Sequence, residues 1–73
     1  MEVVIALTRV PEPVRLNVEQ SIEEVDELVS RALADKTALR LRDDDGRQLV
    51  VPSDKIAYVL IGDAKPRKVG FAL

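Results

Sequence analysis

The side chains able to do chemistry are few and unevenly placed. The 73 residues contain no histidine and no cysteine. A zinc centre of the usual kind and a Ser-His-Asp or Cys-His nucleophile therefore cannot be assembled. Gly46, Gly62 and Gly70 stand far apart, so neither a P-loop nor a dinucleotide-binding glycine loop can be written. Carboxylates concentrate in two places. Glu19, Glu23, Glu24, Asp26 and Glu27 crowd one segment, and Asp43-Asp44-Asp45-Gly46 form a run. Acid–base chemistry needs a desolvated carboxyl with a raised pKa. The first group fits helix capping instead, since negative charge is favoured at a helix N-terminus. The second group offers hard oxygen ligands for calcium or magnesium. Its consecutive spacing departs from the alternating ligands of an EF-hand loop, and an Asp-Gly turn relieved by Arg42 or Arg47 is the reading preferred. Ser53 and Asp54, after Pro52, have a pocket-lining alternative to turn capping. The sequence thus predicts no catalytic residue, no cofactor and no metal, and a protein that is not an enzyme.

Charge gives the next lead. Formal net charge is −2, which argues against general polyanion binding. Its distribution is polar: residues 1–35 hold three basic and eight acidic groups, residues 36–73 eight and five. Arg40, Arg42, Arg47, Arg67 and Lys68, with Lys65 nearby, are the candidate anion-binding residues, able to steer a nucleic acid or nucleotide. Tyr58 and Phe71 are the two aromatic residues able to stack a base. Both sit in apolar runs, which assigns them to a core or an interface.

These groups must be positioned by short elements. Val3–Leu7 is a β-branched run apolar on both faces, and Val14–Val18 alternates cleanly. With Pro11 and Pro13 between them they read as an antiparallel hairpin. Ser21 and Glu24 fit a capping box. Behind them Ile22, Val25, Leu28, Val29, Ala32 and Leu33 recur at spacings of three and four, predicting one amphipathic helix that ends near Ala34 or Asp35. Residues 38–42 and 47–51 flank the Asp-Gly turn as a second hairpin. Ser53–Lys55 makes a tight turn, Ile56–Ile61 is again apolar on both faces, and residues 69–73 are able to form a short last strand. The fold class is α+β, in the order β-β-α-β-β-β, with one helix on a five- or six-stranded sheet in a single small domain covering residues 1–73. No apolar run approaches the ~20 residues of a membrane span. Nor does a basic region or cleavage signal precede the first strand. A cytoplasmic protein without membrane contact is expected.

Two resemblances follow from these residues. Residues 1–33, with a hairpin, a short polar link and a capped helix, resemble the opening of a ubiquitin-like β-grasp domain. Over essentially the whole length, Met1-Glu2-Val3, Glu24-Val25, Leu28-Val29, Asp45-Gly46-Arg47, the stretch Val51–Val59, Ile61-Gly62 and Arg67–Phe71 are similar to a family of short actinobacterial proteins of unknown function. Some members of that family are loosely labelled ATP-binding. The resemblance implies no catalytic residues.

The doubly apolar strands carry the functional expectation. One helix covers one sheet face, and an uncovered apolar face is unusual on a monomer. A small domain without disulfides or metal also gains from association. The expected function is therefore a non-enzymatic binding or assembly module that self-associates or meets a protein partner through a sheet face. The candidate interface residues are Val4, Ala6, Ala57, Val59 and Ile61 or their alternating neighbours. Which parity faces the helix is left open by a pattern apolar on both sides. The alternative is a small nucleic-acid or nucleotide binder using the basic residues above.

Overall fold

The computed structural model describes residues 1–63. Strands β1 (Glu2–Leu7) and β2 (Val14–Asn17) form the first hairpin, and helix α1 (Ile22–Asp35) follows. Strands β3 (Leu39–Arg42) and β4 (Gln48–Val51) make the second hairpin. A 3-10 turn at Ser53–Lys55 then leads into β5 (Ile56–Ile61). The order β-β-α-β-β-β is the one expected, and the class is α+β. The expected last strand at 69–73 lies outside the described residues.

The helix forms where the sequence places it. Ser21 Oγ accepts from the Glu24 N–H at 3.1 Å, and the Glu24 carboxylate accepts from the Ser21 N–H at 2.9 Å. This reciprocal cap satisfies donors that the first helical turn would otherwise leave unpaired. We expect Ser21→Ala to lower the unfolding free energy by about 1 kcal/mol, read from urea denaturation followed by circular dichroism. An unchanged midpoint would show that the cap contributes nothing.

Among the described residues the strands do not form the single five- or six-stranded sheet expected. The strands divide into a three-stranded antiparallel sheet, β2-β1-β5, and the separate β3-β4 ribbon. Pro52 lies between β4 and β5 and has no N–H to contribute to a ladder. The 3-10 turn that follows separates the two strands further. The ribbon still shares the core, because strict alternation puts Leu39 and Leu41, each 2% exposed, on its inner face. Its tip is tied to the other sheet by Asp44, whose N–H donates to the Asn17 carbonyl at 2.8 Å.

The core has one parity. Val3 and Ile5 of β1 are fully buried with Val18, Val25, Val29, Ala32, Leu39 and Leu41, and Leu16, Val59 and Ile61 pack against this group. The register explains the set: Val3 stands opposite Leu16 and Ile61, Ile5 opposite Val14 and Val59. The helix presents Val25, Val29 and Ala32 to it, while Ile22 and Leu33 at the margins of the stripe stay about half exposed.

Candidate interaction surface

The remaining parity of the three-stranded sheet faces away from the helix. Here Val4 lies between Arg15 of β2 and Leu60 of β5, and Ala6 lies opposite Tyr58. Val4, on the central strand, is 6% exposed, whereas Tyr58 and Leu60 are 52% and 57% exposed. An aromatic and a branched aliphatic side chain thus stand in the open beside Val4 and Ala6. The patch is bordered by Glu2 and Arg15, whose charged groups approach to 3.7 Å. Both ends of that pair are solvated, so it adds about 0–1 kcal/mol at most.

The five interface candidates do not share a face. Val4 and Ala6 lie on the outer surface, while Val59 and Ile61 turn to the helix side. The β1–β5 register is continuous over these four residues and shifts just beyond them, between Ala6 and Leu7: Ala6 is opposite Tyr58, but Leu7 is opposite Ile56. Ala57 is the extra residue of this bulge and is exposed. One inserted residue reverses the alternation along a strand, which is why 57, 59 and 61 do not form one row. Tyr58 and Leu60 are the residues that complete the outer patch. Tyr58 therefore does not place its ring in the core. No signal in a strand apolar on both sides distinguishes the two rows; the bulge position would have done so.

The basic candidates are also divided. Arg40 and Arg42 are exposed on the outer side of β3, opposite Val50 and Gln48. Arg47 is engaged: its Nε donates to Asp43 Oδ2 at 2.8 Å. Arg67 and Lys68 lie outside the described residues.

Asp43 is the organising residue of its loop. Its side chain is buried, and Oδ1 accepts from the backbone N–H groups of Asp45 at 3.0 Å and Arg47 at 2.7 Å. Gly46 takes φ +88°, the positive value expected of the Asp-Gly turn. Among the described residues, no group of three or more carboxylates is placed to hold a metal ion. The sequence signal for this loop is an aspartate whose side chain meets the N–H two residues on, an Asx turn.

Burial raises the Asp43 pKa, but the Arg47 N–H, its guanidinium and the Asp45 N–H outweigh it and hold the carboxyl below its ordinary value of 3.8. Reciprocally, hydrogen bonding to Asp43 raises the Arg47 pKa. A carboxylate whose pKa is lower folded than unfolded stabilises the fold above the unfolded pKa. That contribution is lost as pH falls through the folded pKa. We therefore expect stability to decline below about pH 4, and the decline to be shallower in Asp43→Asn. The test is the urea midpoint measured from pH 2 to 7 in both proteins. Parallel acid limbs would remove Asp43 as a source of the pH dependence.

Ser53 and Asp54 line a shallow groove of about 620 Å³ with Leu33, Val50 and Pro52, between the end of α1 and β4. Among the described residues no helix is long and apolar enough to cross a membrane.

Comparison with curated proteins gave no match. A family model described as "Protein of unknown function (DUF3107)" matches residues 1–72. That match spans both hairpins, the capped helix, β5 and all the candidate residues discussed above. The chain belongs to this family.

Proposed function

We propose that this chain is a non-enzymatic assembly module that self-associates through the outer face of its three-stranded sheet. One observation carries the reading: Tyr58 and Leu60, each more than half exposed, stand on the face opposite the core beside Val4 and Ala6. Burial of apolar surface is worth roughly 25 cal/mol per Å², and aromatic residues are enriched at the centres of protein interfaces. Arg15 and Glu2 at the border give the face both signs of charge, so a copy rotated by a two-fold axis meets a surface of the same composition. The mechanism is exclusion of water from this face. It requires no ligand and no chemical step.

The test is molar mass in solution by light scattering, over a range of protein concentrations at low and high salt. A mass of at least two chains that persists at high salt supports the reading. A mass near 8.1 kDa under all conditions overturns it.

A second reading, anion or nucleic-acid binding, rests on Arg40 and Arg42 sharing the outer side of β3. It predicts affinity for a polyanion that falls steeply as salt rises. Salt-independent binding would exclude it. With Arg47 committed to Asp43, two described arginines carry this reading, and the apolar face is favoured.

A further inference from the structure

We propose that β5 pairs edge to edge, antiparallel, with β5 of a second copy, with Val59 facing Val59 across the two-fold axis. The inference rests on the self-association reading and adds to it a second contact, at the sheet edge, which extends the outer face rather than covering it. On the β2 side, the Met1 amine donates to the Val18 carbonyl at 3.1 Å and the Val18 N–H returns to the Met1 carbonyl at 2.9 Å. On the β5 side, the Gly62 N–H donates to the Glu2 carbonyl at 2.9 Å and the Thr8 N–H to the Lys55 carbonyl at 2.8 Å. Odd residues of β1 thus bond β2 and even residues bond β5. Antiparallel ladders alternate in this way, so Leu60 and Tyr58, opposite Val4 and Ala6, direct their N–H and C=O groups to β1. Val59 and Ile61 direct theirs to the other edge. Among the described residues, no strand takes them.

That edge lacks the usual safeguards. Ile56-Ala57-Tyr58-Val59-Leu60-Ile61 contains no charge and no proline, whereas natural edge strands are commonly protected by lysine, proline or an inward charge. The bulge that would twist such a strand away lies at Ala57, near its start, and leaves 58–61 regular. The occupant that fits is a second β5. With Val59 opposite itself, the outward N–H and C=O of each Val59 pair reciprocally. Tyr58 then meets the second copy's Leu60 on the outer face, while Ile61 falls level with the second copy's bulge at Ala57. Aromatic–aliphatic pairs of this kind stabilise neighbouring strands. The product is a continuous six-stranded sheet in the order β2-β1-β5-β5-β1-β2. Its outer apolar face is twice that of one chain and carries two Tyr58–Leu60 pairs at its centre.

Amide hydrogen exchange of the full chain at Val59 and Ile61, followed by NMR from about 10 µM to about 1 mM beside the solution mass, tests this. We expect both amides to exchange freely in dilute protein and to slow at least about tenfold as the mass doubles. If the mass doubles while these amides remain unprotected, edge pairing is overturned and association through the face alone stands. If the mass stays that of one chain, both readings fall; protected amides in that monomer would mean that the chain's own residues beyond Asp63 cover the edge.

Discussion

Ile5→Ala is expected to leave the domain largely unfolded at 25 °C. Ile5 is the middle of the central strand, fully buried, and paired with Val14 on one side and Val59 on the other. Truncating a buried isoleucine to alanine costs about 2–5 kcal/mol, because the cavity adds to the lost transfer free energy. A core in a chain of this size supplies roughly 3–5 kcal/mol, so the two are of the same magnitude. Val4→Ala, one residue away on the outer face, removes one fewer carbon and leaves the core intact. It should cost distinctly less. Urea titrations of both variants by circular dichroism decide the matter. Equal losses at 4 and 5 would contradict the parity assigned to β1.

The second large effect concerns assembly rather than folding. The double substitution Tyr58→Glu and Leu60→Glu replaces two half-exposed side chains with charges and leaves the helix-side row untouched. Strand propensity falls by up to about 1 kcal/mol at such positions, so the fold should survive. Each side chain, if central to an interface, is worth about 2 kcal/mol or more. The self-association constant should then drop by about thirtyfold for the loss of one such residue and by about 700-fold for both. A charge at Val59 would not make this test, because Val59 packs against the core and the variant would report unfolding. Sedimentation equilibrium of the double variant beside the unmodified chain gives the comparison. An unchanged association constant would remove the outer face from the interface.

The legibility of this fold in its sequence follows from how much each segment distinguishes its two sides. Ser21 and Glu24 announce the helix start because only a capped end makes that spacing useful, and the alternation in Leu39–Arg42 assigns Leu39 and Leu41 inward without ambiguity. β1 and β5 give no such contrast. Val3 and Val4 are chemically the same residue on opposite faces, and only packing against Val25 and Val29 separates them. The bulge at Ala57 compounds this: a backbone irregularity in an apolar run has no glycine to mark it, and it moves Val59 and Ile61 to the core side. The division into two sheets is similarly hidden, since strand periodicity says which residues alternate and not which strands pair. For the acidic run, composition shows three carboxylates, while the loop uses one of them inward, on two backbone N–H groups and a guanidinium.

These placements sharpen a single claim, that the sheet face bearing Tyr58 and Leu60 is where this small domain meets another copy of itself. The most direct measurement is molar mass by light scattering at high salt, with the unmodified chain and the Tyr58→Glu, Leu60→Glu variant side by side and circular dichroism confirming that both are folded. Two or more chains are expected for the unmodified protein and about 8.1 kDa for the variant. Two folded proteins of identical mass, whether both single chains or both assembled, would contradict the claim.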